Sequence, residues 1–146
     1  MDDQTAHLRL SHVSKTFGYR KAVDNVSLEV WRSETFCILG PSGCGKTTTL
    51  RMIAGLEIPE SGSIEVGGRP AVSDGKLKMP PQDRGIGFVF QDLALWPHLT
   101  VWENLRFVLD ARKVNKSEQK RQISDILDLV RLSGFGESFP ESLSGG

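Results

Sequence analysis

The chain has 146 residues, within the usual range of one domain, and its 18 basic and 18 acidic side chains leave a formal net charge of zero. Those charges are scattered, so no footprint for nucleic acid or an anionic membrane is present. The acidic opening MDDQTAHL lacks the apolar core of a targeting segment, and no apolar run approaches the length of a membrane span. A protein that starts in the cytosol and stays out of the lipid is therefore expected.

Leu8, Leu10 and Val13, then Val23, Val26, Leu28 and Val30, alternate with polar residues at roughly the strand period, and predict two strands joined around Phe17-Gly18-Tyr19. Thr35 to Leu39 is a short continuous apolar run, which predicts a strand buried on both faces. A glycine-rich loop follows, then Thr47 to Ala54 at helical spacing with Gly55 as its stop. Ser63 to Val66 and Arg69 to Val72 flank Gly67-Gly68, a two-residue hairpin signal that predicts an antiparallel appendage.

Ile86 to Phe90 predicts a second buried strand after the loop at Pro80-Pro81, and beyond it the period turns helical. Thr100 and Glu103 stand at capping-box spacing, with Val101, Leu105, Val108 and Leu109 expected along one apolar face. Ile123, Ile126, Leu127 and Val130 give a second amphipathic helix. Asn115-Lys116-Ser117-Glu118 has a superficial likeness to a guanine-reading motif, but ends in Glu within a polar stretch at a helix start and is read as a cap. Cys37 and Cys44 have no His or Cys partners at metal-ligand spacing, so neither a disulfide nor a zinc site is expected.

The most informative stretch is Gly40-Pro41-Ser42-Gly43-Cys44-Gly45-Lys46-Thr47, which satisfies G-x-x-x-x-G-K-[ST] between an expected strand and an expected helix. Glycines leave backbone N–H groups free to wrap a polyphosphate, and the helix N-terminus adds partial positive charge. Lys46 would supply a point charge for the β- and γ-phosphates and Thr47 a hydroxyl for Mg²⁺. A P-loop nucleotidase follows, a class that holds kinases, GTPases, motors and transporters. The Cys44 thiol, in an electropositive loop at a helix start, sits where thiolate is favoured, or else simply fills space.

Taken in order, Phe17, GPSGCGKT, Phe90-Gln91 and Leu143-Ser144-Gly145-Gly146 make the chain resemble, over nearly all its length, the ATP-binding subunits of ABC transporters. The resemblance implies that Phe17 stacks on adenine, with Tyr19 as the rival. It implies that residues 40–48, through Thr48, bind ATP, and that Thr47 and Gln91 meet Mg²⁺. Gln91 matches the glutamine that couples the catalytic core to the helical subdomain. Ser144, Gly145 and Gly146 match the signature that closes over ATP held by a second subunit. The segment Asp92 to His98 matches the lining of a permease-docking groove, although Leu95 and Trp96 fit a core role equally well; His98 reads as a loop hydrogen-bonder.

Some features depart from the family. The strand ending in Asp, the catalytic Glu and the His that follow the signature cannot be placed in this sequence, and Phe107-Val108-Leu109-Asp110 follows helix period and precedes the signature. Beyond Lys46 and Gln91 no catalytic residue is assigned, and the chain is expected to stop within the signature motif. Ser33 stands where relatives commonly carry glycine, and only slight strain is expected there.

The expected fold is therefore α/β: a partial P-loop NTPase core over residues 1–91 with an antiparallel β appendage and an incomplete sheet, and a helical subdomain over residues 92–146. The expected function is ATP binding, and in the complete parent ATP hydrolysis, powering solute uptake. The implied partners are an integral-membrane permease, a second ATP-binding subunit, identical or not, and indirectly an extracytoplasmic solute-binding protein, with no nucleic acid. The implied place is the inner face of the cell membrane. A non-hydrolysing nucleotide-binding remnant and a soluble ABC ATPase not coupled to transport are the alternatives.

Overall fold

A computed structural model describes residues 6–143. The chain divides after Phe88 into two compact units.

The first unit is built on a five-stranded antiparallel sheet in the order β2-β1-β3-β4-β5, from β1 (Leu8–Phe17), β2 (Arg20–Val30), β3 (Ser61–Val66), β4 (Arg69–Ser73) and β5 (Lys76–Leu77). Leu10 and Val13 are both buried although three residues apart, because the register between them slips. A bulge resets which face a strand presents, so an odd spacing can still serve one core. The hairpin at Gly67-Gly68 forms as the sequence predicts, with both glycines at positive φ.

Helix α1 (Lys46–Ala54) ends at Gly55 in the left-handed conformation and places Met52, fully buried, among Leu10, Val13, Val23, Ile64 and Val72. Burying a side chain of that size stabilises by about 2 kcal/mol. Arg84 fixes the C-terminal end of α1. Its Nη1 donates to Met52 O at 2.8 Å and Ile53 O at 2.7 Å, and its Nε to Met79 O at 3.1 Å. A cation at a helix C-terminus complements the dipole while satisfying its last carbonyls. Burial lowers the Arg84 pKa, and those carbonyls are what make a buried guanidinium tolerable.

Two expectations fail here. Neither Thr35 to Leu39 nor Ile86 to Phe90 joins the sheet, and Phe36, Leu39, Ile86 and Val89 are exposed, Leu39 to 90% and Val89 to 84%. An apolar run becomes a strand only when other strands complete its ladder, and among the described residues the five strands pair antiparallel with one another. Ser33 also differs in degree: its φ of 63° is left-handed, in the turn where Glu34 N donates to Trp31 O. That conformation costs an L-residue about 1 kcal/mol.

In the second unit, α2 (Val101–Ala111) starts with the expected capping box. Glu103 N donates to Thr100 Oγ1, and Thr100 N to Glu103 Oε2. The N–H groups of Val101 and Trp102 are taken by the carbonyls of Ser138 and Gly136, so the loop before Pro140 closes the helix start. The expected apolar face of α2 is only partly covered, and Val108 is half exposed. Helix α3 (Lys116–Leu129) is capped by Asn115, whose Oδ1 accepts from Glu118 N at 3.0 Å. The buried Gln119 amide donates to Asp110 Oδ1 and Val114 O, tying the start of α3 to the end of α2, while Ile123 and Leu127 fill the space beneath.

Two measurements test this account. Arg84→Ala is expected to lower unfolding stability by about 3 kcal/mol, since it removes three hydrogen bonds from a buried guanidinium to the carbonyls of Met52, Ile53 and Met79; a denaturant midpoint close to wild type would remove its anchoring role. Ser33→Gly is expected to raise stability by about 1 kcal/mol in the same titration, by relieving the left-handed turn.

Candidate functional site

The loop at residues 40–45 leads directly into α1, and its shape is set by how closely it approaches β2. A Cβ at Gly45 would lie 2.2 Å from Ala22 O and 3.2 Å from Val23 Cγ2, so a residue with a side chain cannot begin the helix there. Glycine thus lets α1 start against the hairpin. No side chain caps this N-terminus and its first turn carries no acid. Its N–H groups therefore point to an acceptor from outside the helix, for which an anion is the natural choice.

Lys46 stands over the loop. Its Nζ donates to Gly40 O at 2.8 Å and Pro41 O at 2.7 Å, and lies 3.6 Å from Cys44 Sγ. The ammonium is thereby held at the mouth of the loop, where a polyphosphate would meet it. Thr47 is exposed in the first turn and Thr48 half-buried beside it, while Ser42 and Pro41 form the exposed outer rim. Arg20, at the start of β2, donates from Nη2 to Gly43 O at 3.0 Å and ties the loop to the hairpin a second time.

Phe17 ends β1 with about half its surface exposed. Lys15 Nζ lies 5.2 Å from its ring centroid while donating to Ile58 O at 2.8 Å and pairing with Glu57 at 3.3 Å. This cation–π contact orients the ring and links it to the segment just after α1. Tyr19 is fully exposed at the turn. The first unit therefore brings Phe17 and residues 40–48 together on one scaffold.

Gln91 belongs to the second unit, in the exposed turn where Leu93 N donates to Phe90 O and where Leu93 and Ala94 both have positive φ. In that unit an apolar cavity of about 350 Å³ is lined by residues that include Leu93, Leu95, Leu105, Ile126, Val130 and Leu143. Leu95 and Trp96 are each half exposed, and the backbone of Trp96 is held by the Asn104 side chain through both its N–H and its carbonyl. The Trp96 ring meets His98 and Phe107 edge-on. His98 joins no cluster of metal-ligating side chains among the described residues. The expected signature residues Ser144, Gly145 and Gly146 lie outside the described residues.

Lys15, Arg20 and Arg84 escaped the sequence reading, because isolated cations carry no period and belong to no motif. The usable signal was their placement: two flank an aromatic at a strand turn, and one follows a Pro-rich loop.

Cys37 and Cys44 are both free and exposed. In a Cys37→Ser background, maleimide is expected to label Cys44, and Mg-ATP to slow that labelling; equal rates with and without nucleotide would place the ligand elsewhere.

Comparison with known proteins identifies the family of the chain. The family model described as ABC transporter matches residues 23–146. The sulfate/thiosulfate import ATP-binding protein CysA of Gloeobacter violaceus is 46% identical over 94% of the chain. The spermidine/putrescine import ATP-binding protein PotA of Nitrosospira multiformis is 45% identical over 97%. The trehalose/maltose import ATP-binding protein MalK of Thermococcus litoralis is 46% identical over 97%. The chain spans 38% of the length of each of these three relatives. Among solved structures, a dimeric ATP-binding cassette in a post-hydrolysis state with ADP and Pi aligns with a TM-score of 0.77 at 31% identity. That alignment covers 94% of this chain and 63% of the cassette.

Proposed function

The chain belongs to the ABC transporter family, and we propose that it binds ATP with Mg²⁺ as part of an ATP-hydrolysing subunit that powers solute import. The observation that carries this reading is the uncapped, acid-free start of α1 beneath Lys46, on a loop pinned to the same hairpin that bears Phe17. Donors and a cation gathered at one helix N-terminus suit a polyphosphate.

In this reading the N–H groups of residues 43–48 hold the phosphates, Lys46 meets the β- and γ-oxygens, and Phe17 supplies a face for the adenine. Thr47 contributes its hydroxyl to Mg²⁺, a role that needs no cluster of acids because phosphate oxygens complete the coordination. Bound Mg²⁺ would neutralise charge on the phosphates. Gln91 takes the role of contacting the metal or the attacking water, and Ser144, Gly145 and Gly146 close over nucleotide held by a second ATP-binding subunit. We assign residues 1–91 to the ATP-binding core and residues 92–146 to the helical subdomain.

The apolar cavity of the second unit, with Leu93 and Leu95 at its edge, suits a short helix of an integral-membrane permease. No helix of the described residues is long and apolar enough to cross a membrane, so attachment to the inner face of the membrane would come through that permease. Relatives named for sulfate, polyamine and disaccharide import match this chain about equally well. That parity supports a solute choice made outside these residues, by the permease and an extracytoplasmic binding protein.

Lys46→Ala is expected to weaken Mg-ATP binding by at least about tenfold in a calorimetric titration, the worth of one strong charge-assisted contact. Affinity near that of the wild type would refute the role given to Lys46.

A further inference from the structure

The face of the β1–β2 hairpin that presents Phe17 also presents Arg20. The two residues are directly opposite in the antiparallel register, so their side chains leave the same side of the ribbon with Cβ atoms about 5 Å apart. Arg20 then reaches the phosphate loop, Nη2 donating to Gly43 O at 3.0 Å. A Cβ at Gly43 would come within 2.7 Å of that Nη2, so the approach depends on a bare backbone at this position. The Arg20 side chain thus starts beside Phe17 on the hairpin and ends at the loop.

Its chemistry exceeds what a tether needs. Arginine offers five N–H donors in a planar fork, and the Gly43 carbonyl takes one Nη. Arg20 has no carboxylate partner among the described residues, whereas Arg9, Lys15 and Lys21 on the same two strands are all paired with acids. It is exposed, so its charge is not held by burial. In a nucleotide with its base on Phe17 and its terminal phosphates at Lys46, the group between those points is the ribose and the α-phosphate.

We propose that Arg20 is a further nucleotide-binding residue, donating to the α-phosphate of a nucleoside polyphosphate while holding the Gly43 carbonyl. The assignment rests on the ATP-binding reading above. Because the α-phosphate is common to both, Arg20 should contribute equally to ATP and ADP. It should act through charge, unlike a residue that merely braces the loop.

The test is a calorimetric titration of the purified protein and its Arg20→Gln and Arg20→Lys variants with Mg-ATP and with ADP. Each is run at about 0.1 M and about 1 M salt, across which the screening length falls from about 10 Å to about 3 Å. Arg20→Gln is expected to weaken both nucleotides about tenfold at low salt, with the difference shrinking at high salt, and Arg20→Lys to keep part of the affinity. Affinities of Arg20→Gln within about twofold of wild type would overturn the assignment. So would a loss that salt leaves unchanged, or one shared fully by Arg20→Lys, since either marks a brace without a charge contact. Failure of the wild-type protein to bind either nucleotide would instead sink the ATP-binding reading, and this assignment with it.

Discussion

The tightest glycine approach among the described residues is that of Gly45 to the carbonyl of Ala22, where a single added carbon would sit 2.2 Å from oxygen. From that approach the rest of the first unit follows. Helix α1 begins against β2, which drops Met52 into the sheet's core two turns later and brings the loop before it under the hairpin. Had the helix started farther out, Met52 would lose its packing and the loop its two ties to β2. Glycine at this point is thus required by sterics as much as by any ligand, and the motif's third glycine does structural and chemical duty at once.

Helix α1 is finished differently at its two ends, and that difference directs its field. Its C-terminus is sealed by a buried cation, Arg84, which takes the carbonyls of Met52 and Ile53. Its N-terminus has neither capping side chain nor acid. A helix with one pole neutralised and the other left open favours an anion at the open pole. The helices of the second unit show the contrast: α2 and α3 have their first turns closed by Thr100 and Asn115, each with a glutamate in place. Among the described residues, the starts of α2 and α3 are capped by a side chain and that of α1 is not.

Features governed by local chemistry were legible in the sequence. The hairpin at Gly67-Gly68, the stop at Gly55, the capping box of Thr100 and Glu103, and the Asn115 cap all arise from residues within a few positions of one another. Even the odd step from Leu10 to Val13 could be read as strand, although the bulge that reconciles it with one buried face could not. What failed was the pair of apolar runs at residues 35–39 and 86–90. Periodicity reports what a segment would do given neighbours, and a ladder is made by partners the segment does not encode. The site divides the same way: residues 40–47 announce themselves by spacing, while Lys15 and Arg20 became visible only when the hairpin set them beside Phe17 and Gly43.

Zero net charge sharpens what these cations are for. A chain without a global field cannot gather an anion by long-range steering, so attraction must come from groups within about a screening length of the loop. Lys15 is spent on Glu57 and the Phe17 ring, which leaves it as a support for the platform. Lys46 and Arg20 are held by backbone carbonyls instead of carboxylates, and a carbonyl orients a cation without cancelling its charge. Pairing with an acid would have fixed the same geometry at the loss of the electrostatics. The loop thus keeps its two positive charges in place and still available, the condition under which a neutral protein can present a strongly positive site.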